Sequence, residues 1–151
     1  MKTSLNFILP ISTLLIFQWI GCKTDNLVEI KNISPISINT CESFSGENWL
    51  IKNDSTYRAI FAAQDTLEGC ESYDLPEIDF SAQSLLGQRT VFKACNPYFF
   101  YEVSVDSRTK TYFYSVFATK DETCELIDSI HWILLPAIPE NFTVEFLQQV
   151  N

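Results

Sequence analysis

Residues 95–124 read CNPYFFYEVSVDSRTKTYFYSVFATKDETC, and side-chain parity alone makes this stretch an antiparallel hairpin. In the first arm the odd positions Phe99, Tyr101, Val103 and Val105 are apolar, while Glu102 and Ser104 interrupt the even set. That is the period-two pattern of a strand. In the second arm the even positions Tyr112, Tyr114, Val116 and Ala118 carry the same signal, and the polar run Asp106-Ser107-Arg108-Thr109-Lys110 reverses the chain between them. The two apolar sets share a face only if odd residues of one arm sit opposite even residues of the other. Val105 then faces Tyr112, Val103 faces Tyr114, Tyr101 faces Val116 and Phe99 faces Ala118. Cys95 and Cys124 obey the same parity but stand two residues out of this register, a slip that one bulge near the open end would absorb.

The second face of the hairpin carries Tyr98, Phe100, Phe113 and Phe117, with Phe100 opposite Phe117. Four aromatic side chains represent roughly 600 to 1,000 Å², more than the roughly 300 to 600 Å² of a monomer's largest apolar patch. Both faces are therefore expected to be covered. The available covers are a helical stripe of Tyr57, Ile60 and Phe61 on one side and strands at 130–135 and 142–147 on the other. The expected fold is mainly β, an antiparallel sheet or sandwich with one short helix, about 54–63, packed on it.

The chain has 151 residues, 46% of them hydrophobic and 14% aromatic, which suits one globular domain. Met1-Lys2 followed by the apolar run Leu5 to Ile20, interrupted by Asn6, Pro10 and Gln18, has the build of an export signal rather than a membrane span. The run ends in Trp19-Ile20-Gly21-Cys22, which resembles the bacterial lipobox with Trp19 in place of its usual leucine. The resemblance implies cleavage before Cys22 and a diacylglycerol on its thiol. Residues 1–21 form the signal, 22–40 a lipidated tether with a short strand at Ile36 to Ile38, and 41–151 a single disulfide-stapled β domain. Removing the signal takes away only Lys2 among the charges and leaves nine Lys plus Arg against nineteen Asp plus Glu, a net of minus ten. Nucleic acid and anionic lipid head groups are poor partners for such a surface, so membrane attachment falls to the acyl chains.

Four cysteines remain after Cys22, at 41, 70, 95 and 124. An even number in an exported chain reads as two disulfides. Hairpin parity pairs Cys95 with Cys124 and leaves Cys41 for Cys70, each bridge contributing about 3 to 4 kcal/mol in the chain-entropy model. Zinc is the competing use, but no close Cys-x-x-Cys pair exists.

Trp49 to Lys52 reads as a strand, and Asn53-Asp54 can cap the helix that follows. Asp65 to Asp79 is rich in carboxylates but lacks an Asp-x-Asp-x-Asp-Gly calcium loop, and reads as a solvated acidic loop. Ile78 to Ser81 and Ser84 to Gly87 lead into the hairpin. Ile130 to Leu135, apolar on both faces, is a buried strand, and Phe142, Val144 and Phe146 mark a closing strand with one wet face.

The run Pro76-Glu77-Ile78-Asp79-Phe80-Ser81 with Leu85-Leu86-Gly87, followed by a cysteine-flanked hairpin and the ending Trp132-Ile133-Leu134-Leu135-Pro136, resembles a group of uncharacterised exported lipoproteins of Bacteroidota. The similarity spans roughly Trp49 to Phe146, and the Asp-Phe-Ser segment is faintly similar to accessory lipoproteins of periplasmic proteases. The resemblance implies an envelope location, on the periplasmic face or the cell surface of the outer membrane, and no assigned activity. Asp54-Ser55-Thr56, Asp65-Thr66-Leu67 and Asp128-Ser129-Ile130 resemble the short O-glycosylation sites of the same bacteria.

Candidate catalytic chemistry is sparse. His131 is the sole histidine, set in a strand, and reads as structural. No Gly-x-Ser-x-Gly elbow, His-Glu-x-x-His pair or phosphate-binding glycine loop is present. No cofactor or metal is expected. The expected function is a non-catalytic lipoprotein domain, a binding or accessory module for a protein or glycan partner. An inhibitor or cofactor of an envelope protease is the alternative, and a small hydrolase the third reading.

Overall fold

The structure, a computed structural model, describes residues 26–40, 44–62, 75–119 and 124–150. Two four-stranded sheets face each other. The first has the order β1 (Leu27–Glu29), β5 (Phe99–Asp106), β6 (Thr111–Ala118), β8 (Thr143–Val150). The second has the order β2 (Ser34–Ile36), β7 (Leu126–Pro136), β4 (Gln83–Lys93), β3 (Asn48–Ile51). The fold is mainly β, a sandwich with one helix among the described residues, α1 (Asp54–Ala62), packed on it.

The β5–β6 register is the one parity dictates: Val105 pairs with Tyr112, Val103 with Tyr114, Tyr101 with Val116, Phe99 with Ala118 and Phe100 with Phe117. Asp106 shapes the reversal by accepting hydrogen bonds from the backbone N–H of Arg108 (2.8 Å) and Thr109 (3.3 Å). Lys110 completes it with φ of 56°, a conformation costly for a residue with a Cβ. The inner faces of both sheets meet in a core of Leu86, Val103, Tyr114, Val116, Ile133, Leu135 and Ile138.

Helix α1 begins at Asn53, whose side-chain oxygen accepts from Thr56 N–H at 2.7 Å, the capping geometry that satisfies an orphan donor of the first turn. Its Tyr57 and Phe61 pack on Leu85, Ile51 and Trp132, that is, on the outer face of the β2–β7–β4–β3 sheet. The expectation that this stripe covers the hairpin is thereby corrected: the helix lies on the opposite sheet. The closing strand β8 does not cover the hairpin either, because it lies beside β6 in the same sheet, in parallel register. The facing sheet covers the hairpin's inner side, through Ile133 and Leu135 of β7 and Leu86 of β4.

Other differences have local causes. β4, eleven residues long, lies in the stretch read only as leading into the hairpin. Residues 84–88 are buried without a break, so no alternation marks them. The stretch read as a tether contributes an edge strand to each sheet, with β2 at Ser34–Ile36 rather than Ile36 to Ile38, and the sandwich reaches back to Leu27. Cys95 and Cys124 are bonded, with Cα atoms 5.1 Å apart, but no hairpin bulge is needed. Lys93 pairs with Leu126 and the Ala94 N–H donates to the Glu125 carbonyl, so the cysteines are the next step of the β4–β7 ladder. The proposed partners Cys41 and Cys70 lie outside the described residues, as do Cys22 and most of the acidic loop.

The Pro76–Ser81 segment fastens α1 to the start of β4. Tyr57 donates its hydroxyl hydrogen to the Pro76 carbonyl at 3.2 Å, and its ring packs against Phe80 at 5.5 Å. Asp79 accepts from the Ser81 N–H at 3.0 Å and from the Ser81 hydroxyl, an Asx turn that launches the strand. The Ser81 hydroxyl and N–H hold the Asp79 carboxyl below the usual carboxylate range.

Candidate functional site

Three places bear on function, and the buried one is the simplest. His131 points between the sheets and is 7% exposed. Its Nε2 lies 2.8 Å from Thr90 Oγ1 and 2.9 Å from Ser129 Oγ, and its Nδ1 lies 3.3 Å from the Tyr101 hydroxyl. Phe99 packs on the ring with centroids 4.2 Å apart. Burial pushes the imidazole pKa down to about 4 and raises that of Tyr101. A serine and a histidine thus stand within nucleophile–base distance, but the aromatic rings wall them in. The cluster satisfies buried polar groups, and its tyrosines tie the two sheets together, Tyr114 also donating to the His131 carbonyl at 3.3 Å.

The second place is the outer face of the β1–β5–β6–β8 sheet. Phe113, Ser115 and Phe117 alternate along β6, Phe100 lies opposite Phe117, and Leu147 of β8 lies opposite Ser115. Phe100 and Phe117 stack with centroids 4.4 Å apart and planes 3° from parallel. Phe100 is 44% exposed and Leu147 40%, with Tyr98 at 72%, whereas Phe113 and Phe117 are half-buried. No element among the described residues packs on this face. Glu29, Glu102 and Glu145 share it, Glu102 beside Ser115 in the midst of the stripe and the other two on the edge strands.

The third is a cleft of about 640 Å³ at the side of the sandwich, lined by Ser45, Gly46, Glu47, Asn48, Gln88, Arg89, Val91, Asp128 and Gln148. It exists because β3 pairs with β4 only over residues 85–88, and the preceding chain leaves the sheet after Glu47 accepts from the Arg89 N–H at 2.7 Å. Gly46 allows that departure. Its φ of 123° suits glycine, and a Cβ there would sit 2.7 Å from the Trp49 indole. Arg89 grips Asp128 through both carboxylate oxygens, with Nε to Oδ1 at 2.7 Å, and donates to the Phe44 carbonyl at 2.9 Å. That pairing raises the guanidinium pKa and lowers the carboxyl's.

The sequence-derived glycosylation candidates divide. Ser55 is exposed on the first turn of α1, Ser129 is half-buried beside His131, and Thr66 lies outside the described residues. Among the described residues no three of His, Cys, Asp or Glu converge to hold a metal ion, and no helix is long and apolar enough to cross a membrane. Neither the aromatic stripe's openness nor the cleft is visible in sequence. The stripe was legible as residues, but its covering depends on which sheet receives α1. The cleft is assembled from polar residues that carry no periodic signal. No protein-family model, curated protein or solved structure matches the chain.

Proposed function

We propose that the chain is a non-catalytic lipoprotein of the cell envelope, anchored through lipid on Cys22, and that it binds a protein partner across the outer face of the β1–β5–β6–β8 sheet. The carrying observation is the stacked Phe100–Phe117 pair, 44% exposed at Phe100, with the exposed Leu147 diagonal to Phe117 on the same face. Scattered exposed apolar residues are ordinary, but a stacked aromatic pair on a sheet face that no described element covers supports an interaction surface. Aromatic anchors are the side chains that dominate binding energy when a partner desolvates them. The carboxylates Glu29, Glu102 and Glu145 on this face favour a partner presenting apolar residues with Lys or Arg beside them. An accessory role in the envelope follows from such a surface held near the membrane by acyl chains.

The test is crosslinked capture from the native envelope with the wild-type chain and with Phe100→Ser/Phe117→Ser. Both residues sit on the outer face, so the double variant should keep its circular dichroism spectrum. Loss of a specific captured protein supports the reading, and undiminished capture by the folded variant removes it. Lipidation is read separately. Cys22→Ser should release the chain from membranes, and a variant that still fractionates with them after losing residues 1–21 refutes the anchor.

A further inference from the structure

Gln88 is 4% exposed, it lines the side cleft, and its Oε1 has no hydrogen-bond partner among the described residues. A buried acceptor left unmade costs folding free energy, and native structures rarely retain one without a use. Trp132 Nε1 shares the condition but lies beneath α1 within an aromatic cluster. Gln88 differs because it borders the polar cleft on one side, while its β7 partner His131 is buried on the other. Asn48 of β3 is its cross-strand partner, and Gln148 of β8 lines the same cleft. The terminal torsion of a glutamine is broad, so its amide can turn to present the oxygen to a molecule in the cleft.

We infer that this cleft is a binding site for a neutral, hydroxyl-rich ligand, an oligosaccharide, with Gln88 as its buried anchor and Asn48 and Gln148 as its flanks. The chemistry of the lining selects that class. Three amides from three strands, with the Ser45 hydroxyl, offer donors and acceptors together, and a sugar hydroxyl is likewise both at once. Anions are disfavoured, since two carboxylates, Glu47 and Asp128, line the cleft against the single guanidinium of Arg89, which is already gripped by Asp128. Apolar ligands and peptide side chains find only Val91 among the described lining residues. The volume lies within the roughly 300 to 1,000 Å³ of small-ligand sites, but the lining is polar where such sites are usually apolar. The cleft shares no lining residue with the aromatic stripe and does not rest on it.

The experiment titrates the full chain with cellotriose, mannotriose and chitotriose at millimolar concentration and follows the side-chain amide resonances of Asn48, Gln88 and Gln148. At least one sugar should shift all three saturably. Gln88→Leu replaces an unsatisfied amide with an apolar group of similar size and should weaken that sugar about tenfold or more, and Phe100→Ser should leave it unchanged. Should Gln88→Leu fail to fold, Gln148→Ala at the exposed rim takes its place with the same expectation. The inference is overturned if none of the three sugars moves these resonances, if the folded variant binds as tightly as the wild type, or if a tri-alanine control shifts them equally.

Discussion

Gly87 lies directly opposite Trp132 in the β4–β7 ladder, and the indole occupies the space a Cβ on Gly87 would need, with Trp132 Cε3 at 2.5 Å from that position. The neighbouring pairs are Leu86 with Ile133 and Leu85 with Leu134. The Leu-Leu-Gly and Trp-hydrophobic-Pro segments, 45 residues apart in the chain, are thus two sides of one packing arrangement. Trp132 is also boxed by Trp49 at 5.2 Å and Phe61 at 5.5 Å, so it cannot yield cheaply. Gly87→Ala should destabilise the chain by about 1 to 3 kcal/mol, the range for overpacking a filled core. Urea melts of the two proteins check this, and an unchanged midpoint would mean the indole relocates freely.

His131 sets a pH dependence. Its folded pKa, about 4, lies below the unfolded value of 6.5, so between these limits the unfolded chain binds more protons than the folded one. Stability contributed by the neutral ring is therefore full above pH 6.5, falls as pH drops toward 4 and levels off below. The carboxyls of Asp79, Asp106 and Asp128, all lowered, begin to lose their contribution only below about pH 5. Between pH 6.5 and about 5, above the range of these carboxyls, denaturant midpoints should decline in the wild type and stay flat in His131→Gln.

Non-reducing peptide mapping should recover Cys95 joined to Cys124 and Cys41 joined to Cys70. Replacing Cys95 and Cys124 together with Ser should cost about 2 to 4 kcal/mol. Recovery of Cys41 joined to Cys95 would overturn both pairings.

Lys110→Gly should stabilise the β5–β6 reversal by up to about 1 kcal/mol. Relief of the left-handed backbone outweighs the added chain entropy of glycine there. A thermal melt shifted downward would count against it.

The hairpin was legible in sequence because one of its faces is sealed and its turn is polar, so parity alone sets Tyr101 against Val116. β4 was not, because Ser84, Gln88 and Thr90 are buried polar residues that mask a core strand. The placement of α1 escaped for a different reason. Tyr57 and Phe61 announce an apolar stripe, but two sheets compete for it, and the decision belongs to Trp132 and Leu85, outward-facing residues of β7 and β4. The parallel seating of β8 beside β6 requires a crossing through the other sheet that no local pattern encodes. The cleft escaped entirely, since Asn48, Gln88 and Gln148 meet only once both sheets are built.

The Cys95–Cys124 bond also has a mechanical meaning. It joins the two crossings that carry the chain from β4 to β5 and from β6 to β7. Under tension applied between the two ends of the chain, load passes through the bond and bypasses the whole hairpin between them. At about 3.5 Å per extended residue, some 100 Å of contour stays hidden while the bond is intact. In an oxidising compartment, a pull from a tethered end would peel the edge strands yet leave β5 and β6 joined as a closed loop. Reduction would release that length, and single-molecule extension with and without reductant would differ by it.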